Sequence, residues 1–221
     1  IYTLSLHDAL PISSLRMIRA ALDAGADRLL LGIGGSATSD GGAGMLAELG
    51  VRFLDGEGQA VGTTPRELEG LASVDASGLD ARLAGLRIEV ACDVDNPLLG
   101  ERGASAVFGP QKGASPEDVD YLDSVLARWA RLSGHAGLAG RPGAGAAGGL
   151  GFALMAFLGA RLEPGVELVA RAVGLAAAVG GADLVLTGEG SVDAQTLAGK
   201  TPAGVARSEE HTSELQSPSL I

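Results

Sequence analysis

The chain has 221 residues, of which 46% are hydrophobic and only 3% aromatic, and its formal net charge is −11. This aliphatic content excludes a disordered chain, and the acidic balance excludes nucleic acid as a partner, because phosphate backbones require clustered Lys and Arg. No apolar run approaches the roughly 20 residues of a membrane-spanning helix, so we expect no membrane partner. A single cysteine, Cys92, excludes an internal disulfide framework and favours the cytoplasm.

The two ends of the chain differ in style from its middle. Residues 207–210 and the first base of the next codon can be encoded by AGATCGGAAGAGC, and residues 9–12 with one further base by its reverse complement. Both strings resemble a sequencing-library adapter that has been translated in frame. We therefore expect residues 1–13 and 207–221 to be non-native, and residues 14–206 to form the protein segment. His135 is then the only histidine left, which excludes a Ser–His–Asp mechanism and a multi-histidine metal site.

Helical and strand-like aliphatic patterns alternate along the first part of this segment. The periodicity predicts a helix over residues 14–24, a strand over 28–33 and a glycine- and hydroxyl-rich loop over 34–42. A short helix over 43–49 and a strand over 51–54 come next. Helices and strands that alternate in this way predict an α/β fold.

The second part continues the alternation after a stretch that has no clear period, residues 63–86. A strand is predicted over 87–92, and a long helix begins after Ser115, which is a suitable N-cap followed by Pro116. Residues 134–151 are rich in Gly, Ala and Pro. They indicate either a linker or a loop that approaches a ligand closely, and the sequence leaves both interpretations open.

Two further helices, over 150–158 and 166–179, and a strand over 183–186 complete the pattern. The sheet is expected to be mostly parallel, and ligands bind at the carboxyl ends of parallel strands. Polar loops come directly after three of the predicted strands, after Ile33, Cys92 and Leu186. We expect these loops to meet at one crevice.

The loop after Ile33 has the composition of an anion site. Backbone N–H groups of Gly34 and Gly35 and the hydroxyls of Ser36 and Thr38 can hold an anionic group, and Asp40 can serve a magnesium ion. Two alternatives stay open: a plain glycine turn, and a weak dinucleotide fingerprint, G-x-G-x-x-A. The short helix after the loop and the carboxylate of Asp40 argue against the dinucleotide.

The other two loops carry acids. Asp93 and Asp95 can hold Mg²⁺, and Asn96 can bind a substrate oxygen, although Asp and Asn before a proline are also ordinary turn formers. After Leu186, the candidates are Glu189 and Asp193 among glycines and then Lys200, which can also lie on a plain surface turn. Cys92 is expected to be a buried residue at a strand end, and His135 to be solvated rather than catalytic.

Four segments of the chain are similar to signatures of the bacterial glycerate kinase family. They read LLGIGGSATSDGGAGMLAELGVRFLD over residues 30–55, ACDVDNPLLGERGASAVFGPQKG over 91–113, PGAGAAGGLGFALMAFLGA over 142–160 and LVLTGEGSVDAQTLAGKTPAGVA over 184–206. The segments occur in the family's order. Ser39 stands where the family often has Asn, and Leu99 where Cys is frequent, and neither change removes a charged group.

The resemblance implies a two-domain α/β kinase with a cleft between the domains. ATP and Mg²⁺ would be used to phosphorylate D-glycerate, with a homodimer as one option and the 2- or 3-hydroxyl as acceptor. Our hypothesis makes Asp193 the base and Lys200 the neutralising cation, with Asn96 and Glu189 contacting substrate and Asp40, Asp93 and Asp95 available to the metal. Family members also have an N-terminal Asp-Ser-Phe-Lys loop and a C-terminal segment that this chain lacks, so we expect the chain alone to show little activity.

Two functions of other classes remain as alternatives. An NAD(P)-dependent dehydrogenase would use the glycine pattern at Gly32, Gly34 and Ala37, with Asp55 at the end of the next strand. A non-catalytic anion-binding α/β domain would use the same loops without any turnover.

Overall fold

The structure is a computed structural model that describes residues 2–4 and 18–187. The chain divides into two compact units, residues 1–162 and 163–221. Across the residues that are described, no helix has both the length and the apolar character needed to cross a membrane.

The elements are numbered in chain order. The described strands are β1 (Tyr2–Leu4), β2 (Arg28–Gly32), β3 (Arg52–Leu54), β4 (Ser73–Asp75), β5 (Arg87–Ala91) and β6 (Arg161–Glu163). The described α-helices are α1 (18–23), α2 (Ala43–Glu48), α3 (Pro65–Leu68), α4 (Ala104–Phe108), α5 (Pro116–Leu132), α6 (Ala146–Leu158), α7 (Gly165–Ala172) and α8 (Leu175–Val179). Short 3₁₀ turns lie at Ala81–Gly85, Pro110–Lys112 and Ala136–Leu138.

The main sheet has the strand order β1-β2-β5-β6, and β2 pairs in parallel with both β1 and β5. The predicted strands 28–33 and 87–92 are thus confirmed within a residue, as is the parallel α/β architecture. Gly32 lies opposite Ala91 at the ends of β2 and β5. The two loops that come after these strands therefore leave the same edge of the sheet, which is where the sequence places the first two polar loops.

The predicted strand 51–54 belongs to a different sheet. It corresponds to β3, which pairs antiparallel with β4, and β4 lies in the stretch that had no clear period. Both strands have three residues, and β4 has no buried side chain, so its sequence carries little of the alternation by which strands are recognised.

Helix α5 begins where the sequence predicts. Ser115 is its N-cap, and Ser115 and Asp118 form a reciprocal capping box around Pro116. Its apolar face carries Trp129, which is fully buried and stacks on Phe157 with ring centroids 5.7 Å apart. This helix and the sheet enclose one aliphatic core that contains most of the buried residues of the first unit.

The glycine-rich stretch 134–151 is a close-approach segment and not a linker. Ala147, Gly148 and Gly149 adopt left-handed backbone conformations at the start of α6. A Cβ atom on Gly148 would lie 1.9 Å from the carbonyl oxygen of Thr38, a distance that no side chain tolerates. The segment therefore packs its backbone against the glycine- and hydroxyl-rich loop after β2.

The second unit departs from prediction in two places. The predicted helix 166–179 is two helices, α7 and α8, because Gly174 takes a left-handed conformation with φ of 68°. The predicted strand 183–186 is wrong: residues 184–187 have no regular structure, and Leu184 and Leu186 are 75% and 87% exposed. Alternating aliphatic residues make a strand only where a neighbouring strand pairs with the backbone and a core covers one face.

Candidate functional site

A cavity of about 240 Å³ lies at the carboxyl edge of the main sheet, and we call it the inner cavity. Its walls come from the loops after β2 and β5, from the 3₁₀ turn Pro110–Lys112 and from the start of α6. Polar and glycine residues of these segments line it: Gly34, Gly35, Ser36, Asp93, Gln111 and Lys112. Two of the three loops predicted to converge therefore do so.

Lys112 is the cation of the inner cavity, and the sequence reasoning missed it. Its Nζ donates a hydrogen bond of 2.5 Å to the carbonyl oxygen of Thr38 and one of 3.3 Å to Oγ of Ser36. The sequence did offer a signal for Lys112, because this lysine lies in GPQKG, the end of the second segment that resembles the family. Nothing local distinguished this lysine from a surface one, since its contacts come from residues more than 70 positions earlier.

The electrostatics of Lys112 favour an anion in the cavity. Burial lowers the pKa of the Lys112 ammonium, and the nearby carboxylate of Asp40 opposes that shift. The two oxygens that Nζ contacts, in Thr38 and Ser36, are uncharged. An ammonium held in partly desolvated surroundings is stabilised by an anion placed beside it.

Asp40 acts within the loop as a cap. Its side chain is only 8% exposed, and its oxygens accept hydrogen bonds from N–H of Gly42 at 3.0 Å and of Gly44 at 2.9 Å. The hydroxyl of Thr38 donates a further bond of 2.5 Å to the same carboxylate. Three donors thus occupy a carboxylate that the sequence assigned to a metal, and this arrangement fixes the turn into α2.

The same contacts weigh against a dinucleotide. In a dinucleotide fold, the pyrophosphate lies on the N–H groups at the start of the helix after the glycine loop. Here the carboxylate of Asp40 already accepts from the N–H groups of Gly42 and Gly44 at the start of α2. Helix α2 has only six residues.

The acids after β5 are not equivalent. Both are exposed, but Asp93 lines the inner cavity, whereas Asp95 pairs with Arg102 at 3.1 Å. Asn96 donates to the carbonyl oxygen of Arg102 at 2.8 Å, and its own backbone carbonyl accepts from N–H of Gly145. Asn96 therefore holds the loop in shape, and of the three candidates only Asp93 faces the inner cavity.

Cys92 is half-buried and lines the inner cavity, so the expected buried strand-end position needs correction. The strand ends at Ala91, one residue earlier, and this places the thiol in the loop. Sγ donates to the carbonyl oxygen of Val94 at 3.3 Å, and burial raises the pKa of the thiol. A thiol in that state is a poor nucleophile.

One alanine of the cavity wall is strained. Ala147 has φ of 53°, and among the described residues it is the one non-glycine residue with a positive φ. A left-handed alanine costs about 1–2 kcal/mol, so the surrounding packing must hold it in place. His135 is exposed, as expected, and its ring meets the ring of Phe157 edge-on.

Three predicted site residues lie outside the described residues. They are Glu189, Asp193 and Lys200, all beyond position 187. Within residues 2–4 and 18–187, no group of three or more His, Cys, Asp or Glu side chains is placed to hold a metal ion.

Comparison with known proteins identifies the family. The model of the glycerate kinase family matches residues 14–215. The chain is 55% identical to a glycerate kinase of Bacillus subtilis (strain 168) over 194 residues, which are 86% of this chain and 51% of that protein. It is 49% identical to a glycerate 2-kinase of Escherichia coli (strain K12) over 193 residues, again 86% of this chain and 51% of the relative.

A solved structure agrees. The fold superposes with a TM-score of 0.83 on a crystal structure from Salmonella typhimurium LT2, described as a glycerate kinase 2, at 53% identity. The match covers 89% of this chain and 54% of that one. The chain spans about half the length of the relatives it matches, and it belongs to the glycerate kinase family.

Proposed function

We propose that this chain carries part of the active site of a kinase that transfers the γ-phosphate of ATP to D-glycerate. The observation that carries the proposal is the inner cavity at the carboxyl edge of a parallel sheet. There the loop over residues 34–42, which we call the glycine loop, meets Asp93 and the ammonium of Lys112. Phosphoryl transfer requires positioning and neutralisation of phosphate charge more than covalent chemistry by the protein, and this cavity supplies both.

Within this proposal, the residues divide by role. Gly34, Gly35 and Ser36 bind an anionic group, and Lys112 neutralises it. Asp193 takes the proton from the acceptor hydroxyl, as the sequence predicts. Glu189 contacts substrate, and Lys200 adds a second neutralising charge, as the sequence predicts.

Magnesium fits this site only in part. Asp40 is occupied by three donors, and Asp95 pairs with Arg102, so neither carboxylate is offered to the inner cavity. Asp93 is the carboxylate that would contact a metal, because it lines the inner cavity, and Mg²⁺ is commonly held by one or two carboxylates together with phosphate oxygens. When bound, the ion would neutralise charge on the transferred phosphate.

The family match favours the kinase over the two alternatives weighed from the sequence. We further propose the 2-hydroxyl of glycerate as acceptor, because the relative from Escherichia coli is named a glycerate 2-kinase.

A cytoplasmic location and a homodimer also stay proposals. Light scattering coupled to size exclusion tests the homodimer.

The activity is tested in a full-length context, since the chain spans about half of its relatives. Residues 14–206 replace the matching half of the Bacillus subtilis glycerate kinase, and we call this protein the full-length hybrid. We expect ADP release that depends on both ATP and D-glycerate, and phosphorus NMR of the product that identifies a 2-phosphate. A folded hybrid that releases ADP at the same rate without glycerate would refute the proposal.

Asp93 gives the sharper test of the site. In the hybrid, Asp93→Asn is expected to raise the Mg²⁺ concentration needed for half-maximal rate, and Asp95→Asn to change it less. A larger effect at Asp95 would contradict the assignment.

A further inference from the structure

A second cavity is lined by Ala37 and Ser39, later residues of the glycine loop, and we call it the outer cavity. Its volume is about 580 Å³. Its walls come from α3, from the segment between α4 and α5, and from the first turns of α5. Small, hydroxyl-bearing and cationic side chains contribute to its lining, among them Ala37, Ser39, Arg66, Lys112, Ala114 and Tyr121.

The two cavities share a wall and one side chain. Gly34, Gly35 and Ser36 line the inner cavity, whereas Ala37 and Ser39, a few residues later in the same loop, line the outer one. Lys112 lines both. Its hydrogen bonds to Ser36 and to the carbonyl oxygen of Thr38 hold its ammonium against the loop that lines both cavities.

The cavities differ in the size of molecule they suit. Pockets for drug-sized ligands have volumes of about 300–1,000 Å³, and the outer cavity falls in that range at about 580 Å³. The inner cavity, at about 240 Å³, falls below it. The proposed reaction has one large substrate, a nucleoside triphosphate, and one small one, a three-carbon hydroxy acid.

Charge agrees with this division. The outer cavity carries the side chains of Arg66 and Lys112 against one carboxylate, Asp118. That carboxylate accepts from N–H of Ser115 at 2.9 Å, as part of the cap of α5. The hydroxy acid is also an anion, but a triphosphate carries more negative charge, so the cavity with two cations suits the triphosphate better.

We propose that the outer cavity binds the nucleoside triphosphate, that the inner cavity binds the small hydroxy acid, and that Lys112 contacts the transferred phosphate at their junction. This assignment rests on the proposed function and adds the place of each substrate. The acceptor hydroxyl oxygen forms the new bond to the γ-phosphorus. The bond between that phosphorus and the β–γ bridging oxygen breaks, ADP leaves, and the hydroxyl proton passes to the carboxylate base.

A matched pair of filling variants in the full-length hybrid tests the assignment. Ala114→Phe narrows the outer cavity, and Val94→Phe narrows the inner one, which Val94 also lines. We expect Ala114→Phe to raise the KM for ATP about tenfold and to leave the KM for glycerate unchanged. We expect Val94→Phe to raise the KM for glycerate about tenfold and to leave the KM for ATP unchanged. Ala84→Phe is the control, because Ala84 is exposed and is not among the residues of either cavity wall.

Each outcome decides the assignment. Reversed effects, or equal effects of both variants on both KM values, would overturn it while leaving the kinase activity established. If the unmodified hybrid shows no glycerate-dependent turnover, the proposed function fails and this assignment falls with it. Circular dichroism melts confirm folding. If a Phe variant does not fold, Ala114→Val or Val94→Leu replaces it, and we expect the same pattern with smaller changes in KM.

Discussion

The ammonium of Lys112 donates a 2.5 Å hydrogen bond to the backbone carbonyl of Thr38, a residue 74 positions earlier in the chain. The same loop residue donates its hydroxyl to the carboxylate of Asp40. One residue of the glycine loop thus connects the cation of the inner cavity with the cap of α2. The shape of the loop and the position of the charge are therefore set together.

Replacing the charge of Lys112 should impair turnover. In the full-length hybrid, Lys112→Met is expected to lower kcat by about 100-fold, because a preorganised charge at the transferred group contributes roughly 3 kcal/mol. The measurement is steady-state kinetics at saturating ATP and glycerate. Lys112→Arg keeps the charge and should recover part of the rate. Equal activity of the Met and Arg variants would show that Lys112 only supports the loop.

Alkaline pH should weaken the binding of ATP through Lys112. Its pKa in the folded protein lies below the ordinary value of 10.5, so the ammonium loses its proton earlier than in the unfolded chain. The affinity for ATP should then fall as the pH rises through that lowered pKa. In the same window the unfolded chain binds more protons, so stability without ligand should rise with pH.

Isothermal titration of the hybrid with ATP across alkaline pH measures this effect. Lys112→Arg is the comparison, because its guanidinium stays charged throughout. A decline of the same steepness in that variant would assign the titration to another group.

Gly148→Ala should destabilise the protein strongly. A Cβ atom there meets the carbonyl oxygen of Thr38 at 1.9 Å, and φ is +69°. Gly134→Ala is the matched control, since its φ is +78° and nothing lies within 4 Å of its Cβ position. The control should cost about 1 kcal/mol from backbone conformation alone. Urea denaturation should show at least about 2 kcal/mol more for Gly148→Ala, from displacement of the loop. Equal costs would mean that the two segments do not pack as described.

Asp40→Asn distinguishes a cap from a metal ligand. As a cap, the carboxylate holds two backbone N–H groups and one hydroxyl, and the amide can accept with only one of its two polar atoms. We expect a loss of about 2–3 kcal/mol of stability, measured by urea denaturation without Mg²⁺. Unchanged stability together with a raised Mg²⁺ requirement would restore the metal assignment made from the sequence.

Trp129→Phe should weaken the packing beneath the glycine loop. Nε1 of Trp129 donates a 3.1 Å hydrogen bond to the carbonyl oxygen of Gly41, and the side chain is fully buried. Phe has no N–H to donate to that carbonyl, and its smaller ring leaves a small void in the core. The expected cost is about 2–4 kcal/mol, read from urea denaturation followed by circular dichroism. A cost below about 0.5 kcal/mol would exclude a structural role for this bond.

The sequence by itself determined the parallel α/β architecture, because β2, β5 and α5 carry complete local patterns: aliphatic runs for the strands, and a cap, a proline and an apolar stripe for the helix. It also placed the glycine loop and Asp93 at strand ends, since topology brings the carboxyl ends of parallel strands together. The predicted strand 183–186 failed for the opposite reason. Its alternating aliphatic residues would form a strand only beside a neighbouring strand, and the local sequence does not supply that neighbour.

Only the tertiary structure decided which polar residues face the inner cavity. Asp40, Asp93 and Asp95 look alike in sequence, yet one caps a helix, one lines the cavity and one pairs with Arg102. Lys112 gained its position through contacts with Thr38 and Ser36, which lie far away in the chain. A carboxylate or an ammonium takes its role from the donors, acceptors and solvent around it, and folding brings those together from distant parts of the chain.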